Sequence, residues 1–202
     1  MRVFVIDTEY LTWNNLGSKK NPLKRKKNEP PEIIQIFIKE IFTKRKKEKL
    51  FFVKPVNYQI YPHRISKLTS IKKKFLDRNG SSFKSVYNNL NKFLPKNSLI
   101  ISNGDESKII DINLKINKVK KLGKKLFFLN FYILIKNLRI FKKYKKKKFI
   151  TNNQIKKTFK IKNIKSHDAK NDVLILIKSL KIIGIEKKGI KENLKFSKKY
   201  NL

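Results

Sequence analysis

Apolar and polar positions alternate along the chain in a way that divides it into short strands and amphipathic helices. Val3-Phe-Val-Ile6 is β-branched and aromatic and predicts a buried first strand. Glu32–Ile41 and Leu50–Val53 predict two more, with Lys44–Lys49 as a charged hairpin turn, so that strands two and three run antiparallel. Gly17–Pro31, rich in Lys, Asn and Pro, predicts a long loop between strands one and two. Phe83, Val86, Tyr87, Leu90 and Phe93 recur at helical spacing within 82–95, which Pro95 stops. Leu99–Ser102 predicts a fourth strand, and Ile109, Ile110, Leu114, Ile116 and Val119 predict a helix over Glu106–Leu122. Leu126–Leu129 predicts a fifth strand, followed by a helical stretch to about Arg139. The last clear helix is Ala169–Ile183, with Val173, Leu174, Ile177, Leu180 and Ile183 on one face. Three strands in a meander, then helix and strand in alternation, indicate an α/β fold with a mixed sheet.

Composition narrows the classes of function. The chain has 202 residues, of which 40% are apolar, with 15 Phe and 7 Tyr, enough for one domain with a packed core. Without Cys there is no disulfide, no thiolate nucleophile and no Cys-ligated zinc, and two His exclude a His-rich metal site. Fifty-two Lys and Arg against 14 Asp and Glu give a net charge of +38, which first suggests an anionic partner. Lys, Ile and Asn are frequent everywhere and only six residues are Arg, so chain-wide compositional drift accounts for the charge equally well. In such a chain each retained carboxylate asks for an explanation.

The N-terminus lacks the long apolar stretch of a signal peptide. The most apolar run, Leu126–Ile135, falls short of the about 20 residues a membrane span needs. A cytoplasmic protein without a membrane association is expected. Lys142–Lys148 reads as a solvated basic run around Tyr144, and residues 184–202 as a basic, frayed tail.

Three clusters of polar residues carry possible chemistry. Asp7 and Glu9, two apart on a strand, leave the same face. Neighbouring carboxylates repel, and one protonates unless a cation lies between them; a hard divalent ion such as Mg²⁺ or Mn²⁺ takes such oxygen ligands. In isolation the pair also fits two solvated acids at a strand end. The second cluster, Ser102-Asn-Gly-Asp-Glu-Ser107, follows strand four, where Asp105 and Glu106 would complement a helix N-terminus in any case. The third, Ser166-His-Asp-Ala-Lys-Asn-Asp172, sets His167 just before the last helix and Asp172 about one turn in. Histidine is the side chain suited to proton transfer near neutral pH. The other histidine, His63, reads as an ordinary surface residue.

In order and spacing, Asp7-Thr-Glu9, Gly104-Asp105 and His167-Asp-Ala169 with Asp172 resemble the three motifs of the DEDDh family of 3′–5′ exonucleases. Glu32-Ile-Ile-Gln-Ile36 is similar to that family's second strand, and Phe52-Val-Lys-Pro55 to the close of its third. Leu68-Thr-Ser-Ile71 looks like its Leu-Thr-Gly-Ile segment beside the terminal nucleotide, with Ser70 in place of the glycine. The resemblance covers residues 1–183 and implies a ribonuclease H-like fold, a mixed five-stranded sheet with helices on both faces. Residues 17–31 would be a basic loop insertion, 142–148 a Lys-rich loop and 184–202 a tail outside the domain.

The resemblance also implies the chemistry: two Mg²⁺ or Mn²⁺ ions held by Asp7, Glu9, Asp105 and Asp172, with His167 as general base. Relatives place the middle acid one to three residues after the glycine. Asp105 is the first choice here and Glu106 the alternative, and a requirement for the third position would leave Ser107 and an impaired site. Thr8, Tyr10, Trp13, Leu68 and Thr69 are the expected substrate-binding residues; Tyr10 and Trp13 suit base stacking, or core packing equally. Lys19–Lys27 and Lys142–Lys148 could hold the upstream strand or be solvated loops. The expected activity is removal of nucleoside 5′-monophosphates from 3′ ends of single-stranded RNA or DNA. The rival is a catalytically impaired nucleic-acid-binding protein on the same fold; a ribosome-associated or chromatin-like basic protein explains the charge but not the ordered acids.

Overall fold

Val3–Leu11 (β1) is apolar on both faces, as befits a strand with cores above and below it. Val3 and Val5 join one buried cluster and Phe4 and Ile6 the other. Full burial of side chains such as Phe4 and Ile6 contributes about 1.5–3 kcal/mol each. The structure is a computed structural model and describes residues 1–11, 30–44, 47–57, 63–136, 138, 141, 144 and 150–201.

β1 pairs antiparallel with Glu32–Ile41 (β2), which pairs antiparallel with Glu48–Phe52 (β3), as the charged turn predicts. On its other side β1 runs parallel to Leu99–Ser102 (β4), and β4 parallel to Lys125–Asn130 (β5). Lys198–Asn201 (β6) adds a sixth strand antiparallel to β5, giving the order β3-β2-β1-β4-β5-β6. The mixed α/β sheet is therefore as expected, but it has six strands, not five. The tail is not frayed: it forms Lys187–Glu192 (α8), a 3-10 turn at Leu194–Phe196 and β6. Tyr200 anchors β6, packing edge-on against Phe128 and donating to Asp111 Oδ1 at 2.6 Å.

Helices cover both faces. Phe83–Phe93 (α3) starts on a Ser82 cap and buries Phe83, Val86, Tyr87 and Leu90, spaced to form one stripe. It shares the Phe4 and Ile6 core with Glu106–Ile116 (α4), which ends six residues before the predicted limit. On the other face Ala169–Ile182 (α7) packs Val173, Leu176 and Leu180 against Val3 and Val5. Asn152–Thr158 (α6) packs beside α7 and starts with a reciprocal Thr151–Gln154 capping box. His63–Thr69 (α1) and Lys73–Asn79 (α2) cover a third, smaller cluster around Leu11 and Ile34. Of the helical stretch expected after β5, Phe131–Ile135 (α5) is helical, and Arg139 lies outside the described residues. Trp13, residues 17–29 and the lysines of 142–148 lie outside the described residues, but Tyr144 itself is buried in the α7-side core. Among the described residues no helix is long and apolar enough to cross a membrane.

Candidate active site

β1 continues five residues past the predicted apolar run of residues 3–6, and the pleat assigns its polar residues to opposite faces. Asp7 and Glu9 follow Val3 and Val5 on the α7 face; Thr8 follows Phe4 and Ile6 toward α4. A register shift between Glu9 and Tyr10 interrupts the pairing with β2, which resumes with Tyr10 opposite Ile33. Glu9 stands opposite Gln35 of β2, whose amide donates to Asp168 Oδ2 at 3.1 Å and accepts from the Ala169 N–H at 2.9 Å. Asp168 also caps α7, accepting from the Asn171 N–H. The sheet thus grips the start of α7 and sets Asp172 above the end of β1.

One carboxylate oxygen each from Asp7, Glu9 and Asp172 lies within 4.8 Å of the others. Glu106 completes the group from the α4 side, where Thr8 Oγ1 donates to its Oε2 at 2.5 Å. Asp7, Glu106 and Asp172 are only 8%, 5% and 5% exposed. Among the described residues no lysine or arginine forms an ion pair with these four acids, although other acids do find cations, as Glu40 finds Arg2 and Asp77 finds Lys73.

The electrostatic consequence is direct. Burial, then repulsion from Glu106, Asp172 and Glu9, raises the Asp7 carboxyl well above the ordinary range. Burial and the repulsion of Asp172 and Asp168 push Glu9 up to about 8. Glu106 is pushed up to about 7 by burial, against the Thr8 hydrogen bond. Asp172 is raised by burial despite hydrogen bonds from Asn152 and the His167 N–H. Its Oδ1 is buried without a hydrogen-bond partner. Four acids, one with an orphaned oxygen and none with a cation, form a donor set that fits a divalent metal ion.

These groups line a cleft of about 310 Å³. His167 stands exposed at its rim with φ 68°, its backbone N–H held by Asp172 Oδ2 at 3.2 Å. Tyr10, Leu68 and Thr69 also line the cleft. The Thr69 hydroxyl is already engaged with Ile65 O and the Ile71 N–H, and that of Thr8 with Glu106. Ser70 has φ 62°, the left-handed conformation that explains a glycine in the family segment.

Asp105 sits elsewhere. It is the N-cap of α4, accepting from the Lys108 N–H and the Ser107 hydroxyl, with its side chain 58% exposed near Lys198. Capping turns the Asp105 carboxylate away from the cleft and sends the next side chain, Glu106, into it. Ser107 is buried behind them. Three asparagines escaped the sequence reading. Asn103 donates to Ile150 O and Asn152 Oδ1, Asn152 braces Asp172, and Asn153 accepts from Ser166 Oγ. In a chain so rich in Asn nothing marked them; Gln35, a polar residue inside an apolar strand, did carry a signal.

Comparison with known proteins agrees with this geometry. A family model for exonucleases of the RNase T kind matches residues 4–180. Cell-death related nuclease 4 superposes with a TM-score of 0.67 at 16% identity, over 91% of this chain and 64% of its own. E. coli exonuclease I with a dT13 oligonucleotide gives 0.68 at 10% identity, over 95% and 42%. The nuclease domain of 3′hExo, a DEDDh family member solved with rAMP, gives 0.64 at 17% identity, over 89% and 92%. The chain thus spans less than two thirds of the length of the first two. No curated protein matches it in sequence. With the family model spanning most of its length, the chain belongs to the RNase T exonuclease family.

Proposed function

We propose that this chain is a cytoplasmic, metal-dependent 3′–5′ exonuclease that releases nucleoside 5′-monophosphates from single-stranded RNA or DNA. The observation that carries the reading is the convergence of Asp7, Glu9, Glu106 and Asp172 on one cleft, with no ion pair to a lysine or arginine among the described residues, in a chain of net charge +38. These four would hold two Mg²⁺ or Mn²⁺ ions, with Glu106 in the place first expected for Asp105. Such ions, when bound, neutralise charge on the phosphate and lower the pKa of water.

The chain's own groups supply the rest. His167, at the rim with its backbone N–H on Asp172, takes the proton from the attacking water on its imidazole. Tyr10 and Leu68 flank the place for the terminal nucleotide. Thr8 keeps Glu106 in the cleft, and Gln35 and Asn152 hold the start of α7 and Asp172. Glu106 in this position favours activity over the impaired-binder alternative.

The test is incubation with 5′-labelled single-stranded RNA and DNA, with Mg²⁺, Mn²⁺ or EDTA. A metal-dependent ladder shortening from the 3′ end, with 5′-mononucleotide as product, is expected. Tight binding without products overturns the reading.

A further inference from the structure

Beside the acidic cleft, beyond His167, lies a second hollow of about 660 Å³ that shares Leu68, Asn153, Ser166 and His167 with it. Its remaining walls are Lys67 at the end of α1, Lys156 on α6 and Lys165 before His167, and among the described residues no acid lines it. We propose that this hollow is a subsite for the sugar-phosphate backbone of the strand next to the nucleotide in the cleft, with Lys67 and Lys165 contacting phosphates. This rests on the exonuclease reading of the cleft.

Charge segregation argues for it. The cleft is lined by carboxylates and the hollow by ammonium groups, and the two share one wall. A strand whose end enters the acidic cleft with metal presents its next phosphates to the lysines. Backbone contacts of this kind are independent of base sequence, as an enzyme that shortens any strand requires.

Two of the three lysines are held in place. Lys165 Nζ donates to Ser70 Oγ at 3.2 Å, and Lys156 Nζ to the Ile164 carbonyl, so less side-chain freedom is lost on binding. Another basic hollow, around Arg2, Lys92 and Lys124, lies at the opposite end of β1. That hollow includes Glu48 in its lining and shares no wall with the acidic cleft.

The test compares the double variant K67E/K165E with K178E/K181E, which makes the same charge change on exposed lysines near the far end of α7. The probes are dT12 and rU12 for binding in EDTA, and thymidine 5′-(p-nitrophenyl phosphate), too short to fill the hollow, for turnover with Mn²⁺. K67E/K165E should weaken 12-mer binding at least tenfold more than K178E/K181E. For K67A/K165A the slope of log affinity against log salt should fall by about 1.4, for two single-strand phosphate contacts. Loss of kcat/KM should be at least tenfold greater on the 12-mers than on the nitrophenyl ester. Equal effects of the two charge-reversed pairs, or an unchanged salt slope, overturn the subsite. Failure of the parent protein to cleave the nitrophenyl ester and the 12-mers alike would overturn the exonuclease reading, and the binding comparison would still decide the subsite.

Discussion

A Cβ placed on Gly104 would stand 2.8 Å from Glu106 Oε1. The glycine therefore leaves the room in which that carboxylate lies. Gly104→Ala should displace the acid at a cost of about 1 kcal/mol, because the obstructed atom ends a flexible side chain. In a chain of this size that is about 2–4 °C in Tm. Displacement of about 1 Å should lower kcat about 10²-fold. Thermal melts beside nuclease rates check this; a fall in Tm with full activity would refute it.

The two adjacent acids should separate cleanly on substitution. Glu106→Gln removes a charge from the cleft and should abolish metal-dependent cleavage. Asp105→Asn keeps a competent cap and should be nearly silent, whereas Asp105→Ala should cost about 1 kcal/mol of stability. Activity and urea denaturation of the three variants test the assignment, and loss of cleavage in Asp105→Asn would return the middle acid to that residue.

His167→Ala should reduce turnover by about 10²–10⁴-fold while leaving oligonucleotide affinity in EDTA close to the parent value. Parallel loss of both would make the residue a binding group rather than a base.

Stability without metal should depend on pH. The folded carboxyls have raised pKa values, so the folded chain retains protons that the unfolded chain releases. Their contribution is complete below the ordinary carboxylate range, about 4, and is lost as pH rises through about 7 for Glu106 and about 8 for Glu9. Melts in EDTA should therefore fall between pH 5 and pH 8.5 (about the span of those values). Stabilisation by Mn²⁺ should grow over the same interval, since ligands must be deprotonated to bind. A metal-induced rise in Tm that is flat with pH would contradict the raised values.

Asn152→Ala should weaken Mn²⁺ binding by about 10–100-fold with little loss of fold, because it removes a group that orients Asp172. Isothermal titration with Mn²⁺ measures it directly.

Much of this was legible in the sequence, for identifiable reasons. The β2–β3 hairpin announces itself by a near-continuous apolar run ended by a charged turn, and α3 and α7 by the 3.6-residue period that burial imposes on their apolar residues. Strand β6 does not: Lys198, Lys199 and Asn201 surround one buried aromatic, Tyr200, and only the free edge of β5 makes that segment a strand. Asp105 and Glu106 both suit a helix start, and choosing between them needs the geometry that makes the first a cap and the second a cleft residue. At Ser70 the departure from glycine marked a backbone requirement. Its φ of 62° means that Ser70→Gly should be tolerated and β-branched substitutions should not.

The alternation on β1, with Asp7 and Glu9 toward α7 and Thr8 toward α4, gives the site an unusual genetic fragility. Point changes along Val3–Ile6 would trim stability by degrees. Removing or adding a single codon there would exchange the faces, burying both acids under α3 and α4 and swinging the threonine toward α7. Frame-preserving indels in this stretch should therefore be as damaging as loss of an acid itself, even where every encoded side chain remains apolar.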